Sequence, residues 1–355
     1  MQPADLTGRG RLERGPPKWG QTKPGQTKPC QALALGLLQG PTELLPVSSS
    51  AHTALIPRLA GWSSYTELAP EQRKSFEVAL HLGAGVALAL DMRSELIEAV
   101  RELNARRVAT IALSLAPAML AGYALERPIE QRLGGRRAIS AGLVAGGIAM
   151  ALADAIPIAR HAPKTTGDFG QNVSLGQDGR HERDAGPLDG LALGVAQAVA
   201  LMPGVSRSGA TLTAARARGF AREDAHTLSW HVALPVILGA GTLKGWRLLR
   251  TGRGKHGHRD GDGGRRDDRG VDDRGVNDDE VVSRRSDGGF RSARSSLAIG
   301  AASAFASTWA SARVLRRPRV SRRSLLPWAV YRCVLAAVAL HQAGRDVGGA
   351  QNMKR

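Results

Sequence analysis

The sequence predicts an all-α, polytopic membrane protein built from two repeats, with two re-entrant helix pairs. Three features lead to this prediction: a series of apolar blocks, an internal repeat, and a Pro- or Gly-containing break followed by serines in each copy. Several blocks approach the roughly 20 apolar residues that cross a bilayer, and shorter, interrupted ones suit re-entrant helices. The blocks lie near residues 31–60, 76–91, 108–125, 138–159, 188–202, 226–249, 296–315 and 324–342.

Whole-chain averages conceal this organisation. The 355 residues carry a formal net charge of +18, and the mean hydropathy of −0.19 would suit a soluble protein. Polar segments account for that average, because long stretches of Gly, Arg and Asp cannot bury a core and predict disorder. The predicted order is a disordered tail (1–29), membrane repeat 1 (30–159), a polar loop (160–187), the first part of repeat 2 (188–250), a disordered charged linker (251–294), the last helices of repeat 2 (295–342) and a tail (343–355).

The basic excess consists mostly of arginine in predicted loops. This distribution favours the positive-inside bias of membrane proteins over nucleic-acid binding, so we expect membrane lipids, and no nucleic acid, as partners. Arginine occurs in nearly every loop, and the charge pattern therefore does not fix the orientation in the membrane. The two cysteines, Cys30 and Cys333, form no recognisable disulfide pattern.

The internal repeat aligns without a gap. LALGLLQGPTELLPVSSSAHTAL (33–55) matches LALGVAQAVALMPGVSRSGATLT (191–213) at an offset of 158 residues. Apolar matches are common by chance, but polar matches are harder to dismiss: Gln39 with Gln197, Ser48 with Ser206, Ser50 with Ser208 and Thr53 with Thr211. Interrupted segments at corresponding positions of two repeats are the best pointer to a binding site in such proteins.

Each break predicts a helix end followed by a helix start. Pro46 and the Pro203–Gly204 pair stop a helix, and the serines after them can cap the next one. Two helix N-termini that face each other form an anion site, because free N–H groups and the positive dipole ends converge there. Arg207, between Ser206 and Ser208, adds a forked set of donors suited to phosphate oxygens.

Candidate catalytic groups precede and follow the first break. Glu43 lies inside an apolar run, where an ionisable side chain is a functional candidate by default. A divalent cation between Glu43 and a phosphate would remove their repulsion. His52 can act as acid, base or nucleophile, and one of the three serines Ser48, Ser49 and Ser50 could be a nucleophile. His81 is interpreted as structural or as a neighbour of the site. The predicted substrate-binding residues are Ser48, Ser50, Ser206, Ser208, Gly209 and Gln39.

These motifs resemble those of a known family. QGPTELLPVSSSAH (39–52) and PGVSRSGAT (203–211) are similar to the two motifs of the undecaprenyl-diphosphate phosphatases, also called bacitracin-resistance proteins. FEVALHLGA (76–84) and LLPWAVYRCVLAA (325–337) also look like segments of that family. The resemblance covers roughly residues 30–160 and 187–342. In relatives an acidic residue often stands where this chain has Gln39, although Gln also occurs there.

The resemblance implies a multi-pass enzyme of the bacterial plasma membrane, with inverted repeats and a site that opens to the outer side. It implies hydrolysis of the terminal phosphate of a C55 polyprenyl diphosphate, with Mg²⁺ or Ca²⁺ as cofactor. The family's functional Glu, Ser, His and Arg correspond to Glu43, Ser49, His52 and Arg207.

The sequence leaves several alternatives open. Either Ser49 attacks with His52 as base, or His52 itself attacks or activates water. A lipid-phosphate transporter or flippase of the same architecture is the alternative function, since broken helices in inverted repeats also describe carriers. Assembly into an oligomer is compatible with the sequence.

Overall fold

The fold is helical throughout the part of the chain that the structure describes. The computed structural model describes residues 27–156, 179–254 and 278–352, and in these ranges the only β pairing is an isolated bridge between Arg180 and Phe220. The predicted all-α class is therefore confirmed. Residues 1–26 of the predicted tail, and most of the predicted polar loop and charged linker, lie outside the described residues.

The helices of the first half carry repeat 1. They are α1 (Pro29–Leu44), α2 (Ser49–Leu59), α3 (Ser63–Thr66), α4 (Pro70–Asp91), α5 (Arg93–Arg101), α6 (Ala105–Leu133) and α7 (Arg136–Ala155).

The helices of the second half carry repeat 2. They are α8 (Pro187–Val199), α9 (Arg207–Ala217), α10 (Arg222–Gly254), α11 (Asp278–Leu315), α12 (Pro318–Ser321) and α13 (Leu326–Asn352), preceded by a short 3₁₀ turn at Glu182–Asp184. Helix α11 thus begins within the segment predicted as a linker, and α13 continues into the predicted tail.

Both predicted breaks occur, and each separates two short helices. Helices α1 and α2 have 16 and 11 residues, and α8 and α9 have 13 and 11. All four are shorter than the roughly 20 residues of a full span. The N-caps after the breaks are Ser48 and Ser206, as their position after Pro46 and Gly204 predicts. Each cap hydroxyl accepts a backbone N–H three residues later.

The two repeats use the same kind of helix packing. Helix α1 lies along α11, and the corresponding α8 lies along α6. The matching glycines Gly36 and Gly194 permit both contacts, because a Cβ at Gly36 would overlap the side chain of Ser303 and one at Gly194 would overlap the carbonyl oxygen of Leu113. Small residues allow such close approach between membrane helices. This packing agrees with a two-repeat fold, while the inverted relation of the repeats stays a prediction.

Some of the helices suit a membrane by length and apolar composition. Within the described residues, Ala105–Leu125 and Arg136–Ala155 are long and apolar enough to cross it. Pro70–Asp91 and Arg93–Arg101 meet at a 68° bend and give a third crossing if they count as one span. Large apolar side chains on α6 face outwards, including Met119 and Leu120. Such exposure is expected where the surrounding solvent is lipid.

Candidate active site

Glu43 is the centre of the site. It lies in the last turn of α1, and its carboxylate is buried. The oxygen Oε2 accepts a hydrogen bond from the Ser49 hydroxyl at 2.7 Å and another from the Gln39 amide at 3.1 Å. The oxygen Oε1 forms an ion pair with Arg207. A buried carboxylate needs such partners, because an unpaired one would be strongly destabilising.

Arg207 reaches this carboxylate from the other repeat. It is the first residue of α9, and its side chain is 20% exposed. One guanidinium nitrogen donates to Glu43, and another donates to the carbonyl oxygen of Ala233 on α10 at 3.2 Å. Ser49 is likewise the first residue of its helix, α2. The fold thus brings the first turns of two capped helices to one carboxylate, as an anion site requires.

The two breaks are also joined directly. The hydroxyl of Ser208 donates to the carbonyl oxygen of Leu45 at 3.1 Å. The fully buried guanidinium of Arg332, on α13, donates to Pro46 in the first break, to Gly204 in the second, and to Gly142 and Leu143 on α7. Gly209 leaves room for it, because a Cβ there would lie 2.6 Å from an Arg332 nitrogen. Arg332 therefore fixes the relative position of the breaks.

His52 bonds to groups other than Ser49. Its Nδ1 lies 2.7 Å from the carbonyl oxygen of Ser48, and its Nε2 lies 2.7 Å from the hydroxyl of Tyr331. The two rings are stacked, with centroids 5.6 Å apart. Because a carbonyl oxygen can only accept, Nδ1 carries a proton. In the neutral imidazole Nε2 then accepts the proton of the Tyr331 hydroxyl.

His81 lies closer to Glu43 than its place in an apolar run indicates. Its Nε2 is 3.6 Å from Glu43 Oε2, and its side chain is 35% exposed. Its Nδ1 faces the carbonyl oxygen of Glu77 at 2.8 Å, one helical turn earlier on α4. The sequence interpretation of His81 as structural or as a neighbour of the site covers this position.

The predicted substrate-binding residues lie at different depths. Ser48 and Ser206 are buried caps, and Ser208 and Gly209 are buried between the breaks. Gln39 is fully buried and bonds to Glu43, whereas Ser50 is exposed and its hydroxyl lies 3.3 Å from that of Ser48. All six therefore lie near the Glu43–Arg207 ion pair or in the two breaks next to it. Ser49 lies in the same region.

Comparison with known proteins identifies the family. The sequence profile of the family described as "Bacitracin resistance protein BacA" matches residues 32–338. The chain belongs to this family. The matched range begins in α1 and ends in α13, so it contains every site residue named above. Family membership is thus established over both repeats.

Curated relatives carry the name undecaprenyl-diphosphatase. The protein from Geobacter sulfurreducens is 40% identical over 234 residues, which is 62% of this chain and 77% of the relative. Similar proteins from Alcanivorax borkumensis and Pelotomaculum thermopropionicum are each 37% identical, over 226 residues (60% of this chain, 75% of the relative) and 221 residues (60% and 74%).

The donor set around Glu43 suits a hard divalent cation. The amide oxygen of Gln39 is buried and has no hydrogen-bond partner among the described residues, although its NH₂ group donates to Glu43. A carboxylate, an amide oxygen and the Ser49 hydroxyl are the oxygen ligands that Mg²⁺ and Ca²⁺ prefer. The described residues contain no cluster of three or more His, Cys, Asp or Glu with metal-binding geometry. A cation would therefore depend on substrate oxygens as well.

Sequence reasoning did not single out Tyr331 or Arg332. Both stand in the C-terminal segment LLPWAVYRCVLAA. An arginine in the middle of an apolar block is a signal of function or of a buried polar contact, and Arg332 provides that signal. Its partners are backbone carbonyls of distant segments, which no side-chain pattern reveals.

Proposed function

We propose that this protein is an integral membrane undecaprenyl-diphosphate phosphatase. It removes the terminal phosphate from undecaprenyl diphosphate and releases undecaprenyl phosphate and inorganic phosphate. The observation that carries the proposal is the meeting of Ser49, Glu43 and Arg207, which combines a hydroxyl, a proton acceptor and a phosphate-binding cation in one site. Family membership supports the reaction, and the substrate follows the names of the relatives.

Arg207 holds the terminal phosphate of the substrate. Without substrate its guanidinium pairs with Glu43, and a phosphate offers the same guanidinium more oxygens and more charge. The exchange of partners releases Glu43 Oε1 when the phosphate arrives. The free N–H groups at the start of α9 add to the attraction. The isoprenoid tail lies among the apolar helices.

Ser49 acts as the nucleophile and Glu43 as its base. The Ser49 proton passes to Glu43 Oε2, 2.7 Å away, while Oγ forms a bond to the terminal phosphorus. The bond between that phosphorus and the bridging oxygen breaks, and undecaprenyl phosphate leaves with the electron pair. Water then attacks the phosphorus of the phosphoserine, the bond between phosphorus and Ser49 Oγ breaks so that inorganic phosphate leaves, and Glu43 Oε2 returns its proton to Oγ.

His52 positions Ser49 and does not act as its base. Both of its ring nitrogens are engaged, one by Ser48 and one by Tyr331. The ring therefore anchors the first turn of α2, which carries Ser49. This arrangement favours Glu43 over His52 as the base.

We include a divalent cation, Mg²⁺ or Ca²⁺, as the cofactor of this reaction. Glu43, the Gln39 amide oxygen and the Ser49 hydroxyl would hold it together with the substrate. Bound there, it supplies positive charge that offsets the charge developing on the phosphoryl oxygens.

We place the enzyme in the bacterial plasma membrane with its site facing the outer side. This location fits recycling of the lipid carrier of cell-wall synthesis, and it fits the resistance to bacitracin in the family's description. The transporter alternative has less support. The relatives reported above are named for hydrolysis, and anion transport needs no Ser–Glu pair.

The test is phosphate release from undecaprenyl diphosphate by the purified full chain in detergent. Assays with Mg²⁺, with Ca²⁺ and with a chelator determine the cation. Glu43→Gln, Ser49→Ala and His52→Ala test the roles, and Glu102→Gln serves as the control because it removes an exposed carboxylate paired with Arg107.

We expect activity that requires the cation, is lost in Glu43→Gln and Ser49→Ala, falls less in His52→Ala and persists in Glu102→Gln. Full activity of Ser49→Ala beside an inactive His52→Ala would show that Ser49 is not the nucleophile. A folded wild-type protein that releases no phosphate would overturn the function.

A further inference from the structure

A basic cavity lies at the opposite end of α2 from Ser49. It has a volume of about 520 Å³, and its lining includes Arg58, Gly61, Trp62, Ser63 and Arg136. At 1.5 Å per residue along α2, Arg58 stands about 14 Å from Ser49. The volume is within the range of small-molecule sites. This cavity is therefore separate from the candidate active site.

Arg58 is the unusual group in this cavity. Its nitrogen Nη1 is buried and has no hydrogen-bond partner among the described residues. Two positively charged groups, Arg73 and Arg136, act on it, and the Tyr65 phenol also lies near it. None of the described lining residues is acidic. A buried donor without an acceptor costs free energy, and like charges add to that cost, so the arrangement calls for an anion.

The position of the cavity indicates which anion it takes. Arg136 is the first residue of α7 and also the first residue of a candidate membrane span. If α7 crosses the membrane from its first residue, the cavity wall lies at the edge of the bilayer, at the depth of the phosphate groups. Trp62 lines the same cavity, and tryptophan is enriched at this depth. Arginine is well suited to phosphate oxygens, since its forked donors match them.

We propose that the Arg58 cavity binds a phosphate-bearing anion, either the headgroup of an anionic phospholipid or free inorganic phosphate. Arg58 and Arg136 supply the charge, and the Ser63 hydroxyl supplies a further donor. The Gly61 backbone has φ +65°, and a Cβ there would meet no atom within 4 Å, so the cavity has space for a ligand beside it. The site is distinct from the one that performs hydrolysis.

The experiment measures binding in a chain that lacks the active-site arginine. Full-length Arg207→Ala protein in detergent is titrated by calorimetry with short-chain phosphatidylglycerol, with inorganic phosphate and with short-chain phosphatidylcholine. Arg58→Gln is added as the test variant. Arg137→Gln is the matched control, because Arg137 is the next residue on α7 but is exposed and outside the lining.

We expect saturable binding of phosphatidylglycerol or phosphate that Arg58→Gln weakens about tenfold or more and Arg137→Gln leaves unchanged. Binding of phosphatidylglycerol alone identifies a lipid site, and binding of phosphate alone a free-anion site. Equal affinities in the two variants, or no saturable binding to folded protein, would overturn the proposal.

A second variant covers the case in which Arg58→Gln does not fold. Gly61→Asp places a carboxylate against the open cavity, and Asp tolerates a positive φ better than most residues. It should weaken anion binding by repulsion with Arg58 still present, and unchanged affinity would contradict the proposal. Because hydrolysis is not the readout, failure here leaves the proposed enzyme activity untouched, and the reverse also holds.

Discussion

The two breaks are alike in sequence and differ in the residue that begins the following helix. Each ends a short helix, each is followed by a serine N-cap, and each leads into an 11-residue helix. At the same position of the repeat, the first residue of that helix, one has Ser49 and the other has Arg207. The backbone design is shared, and the proposed roles are divided: Ser49 as the nucleophile and Arg207 as the phosphate-binding cation.

The breaks also differ in how the chain turns. The first has its positive φ at Ser48 (75°), and the second has it at Gly204 (89°), two residues earlier in the repeat. The left-handed region costs a residue with a Cβ about 1–2 kcal/mol. Such strain is found where surrounding contacts enforce it, often near functional sites. The first break, which carries Ser49 and Glu43, is the strained one.

The matching glutamines of the two repeats, Gln39 and Gln197, also make different contacts. Gln39 donates to Glu43 in the site, whereas Gln197 donates to the carbonyl oxygen of Ser114 on α6 at 2.8 Å. One glutamine binds a functional group, and the other joins two helices, as buried amides often do in membranes. The two copies therefore share their packing, while only the first has an acidic residue, Glu43, where the second has Leu201.

The largest expected effect separates the serines of the two breaks. Ser49→Ala should lower kcat by about 10⁴-fold or more, because it removes the nucleophile. Ser208→Ala removes a hydroxyl that bonds to Leu45 and should lower kcat about tenfold or less. Phosphate release under saturating substrate gives both values. Equal losses in the two variants would mean that Ser49 has no special role.

The next effect tests Arg207, the first residue after the second break. Arg207→Ala should lower kcat/KM by about 10²–10³-fold, because a donor to the transferred phosphate is lost. Arg218→Ala is the control, since Arg218 caps the other end of α9 and pairs with Asp189. The protein should still insert into the membrane, as fractionation would show. Retained activity would refute the phosphate-holding role.

A smaller effect concerns the turn of the second break. Gly204→Ala should destabilise the protein by at least about 3 kcal/mol, because backbone strain combines with overlap of the new Cβ and the carbonyl oxygen of Ile139. Gly219→Ala shares a positive φ of 85° but meets only the Arg180 side chain at 3.9 Å. It should cost about 1–2 kcal/mol.

Thermal unfolding in detergent compares the two glycine variants. The Gly204→Ala protein should unfold at a clearly lower temperature than the Gly219→Ala protein. Identical midpoints would indicate that the second break is not packed against α7 as described.

The smallest effect concerns His52, in the first turn of α2. Tyr331→Phe removes the hydroxyl at His52 Nε2 and keeps the stacked ring. Loss of one hydrogen bond should lower kcat about two- to tenfold, measured by phosphate release. A loss as large as that of Ser49→Ala would assign the Tyr331–His52 pair a direct catalytic part.

Much of the site could be predicted from the sequence. Glu43, Ser49, His52 and Arg207 stand in two recognisable motifs, and their separation by an internal repeat predicted that they would meet. His81 was interpreted only as structural or as a neighbour of the site. Tyr331 and Arg332 were not predicted at all. Their roles depend on contacts with segments more than a hundred residues away.

The sequence by itself determined the apolar helical blocks, the two breaks and the serine caps that follow them. Apolar blocks, Pro46, Gly204 and the serines after them act through dihedral preferences and hydrogen bonds within a few residues, so local sequence is sufficient. Only the tertiary structure decided which groups share the site. The packing of α4 against α1 and α10, of α10 against α9, and of α13 against α7 brings Arg207 to Glu43 and Arg332 to both breaks, because contacts between distant segments depend on how whole helices pack.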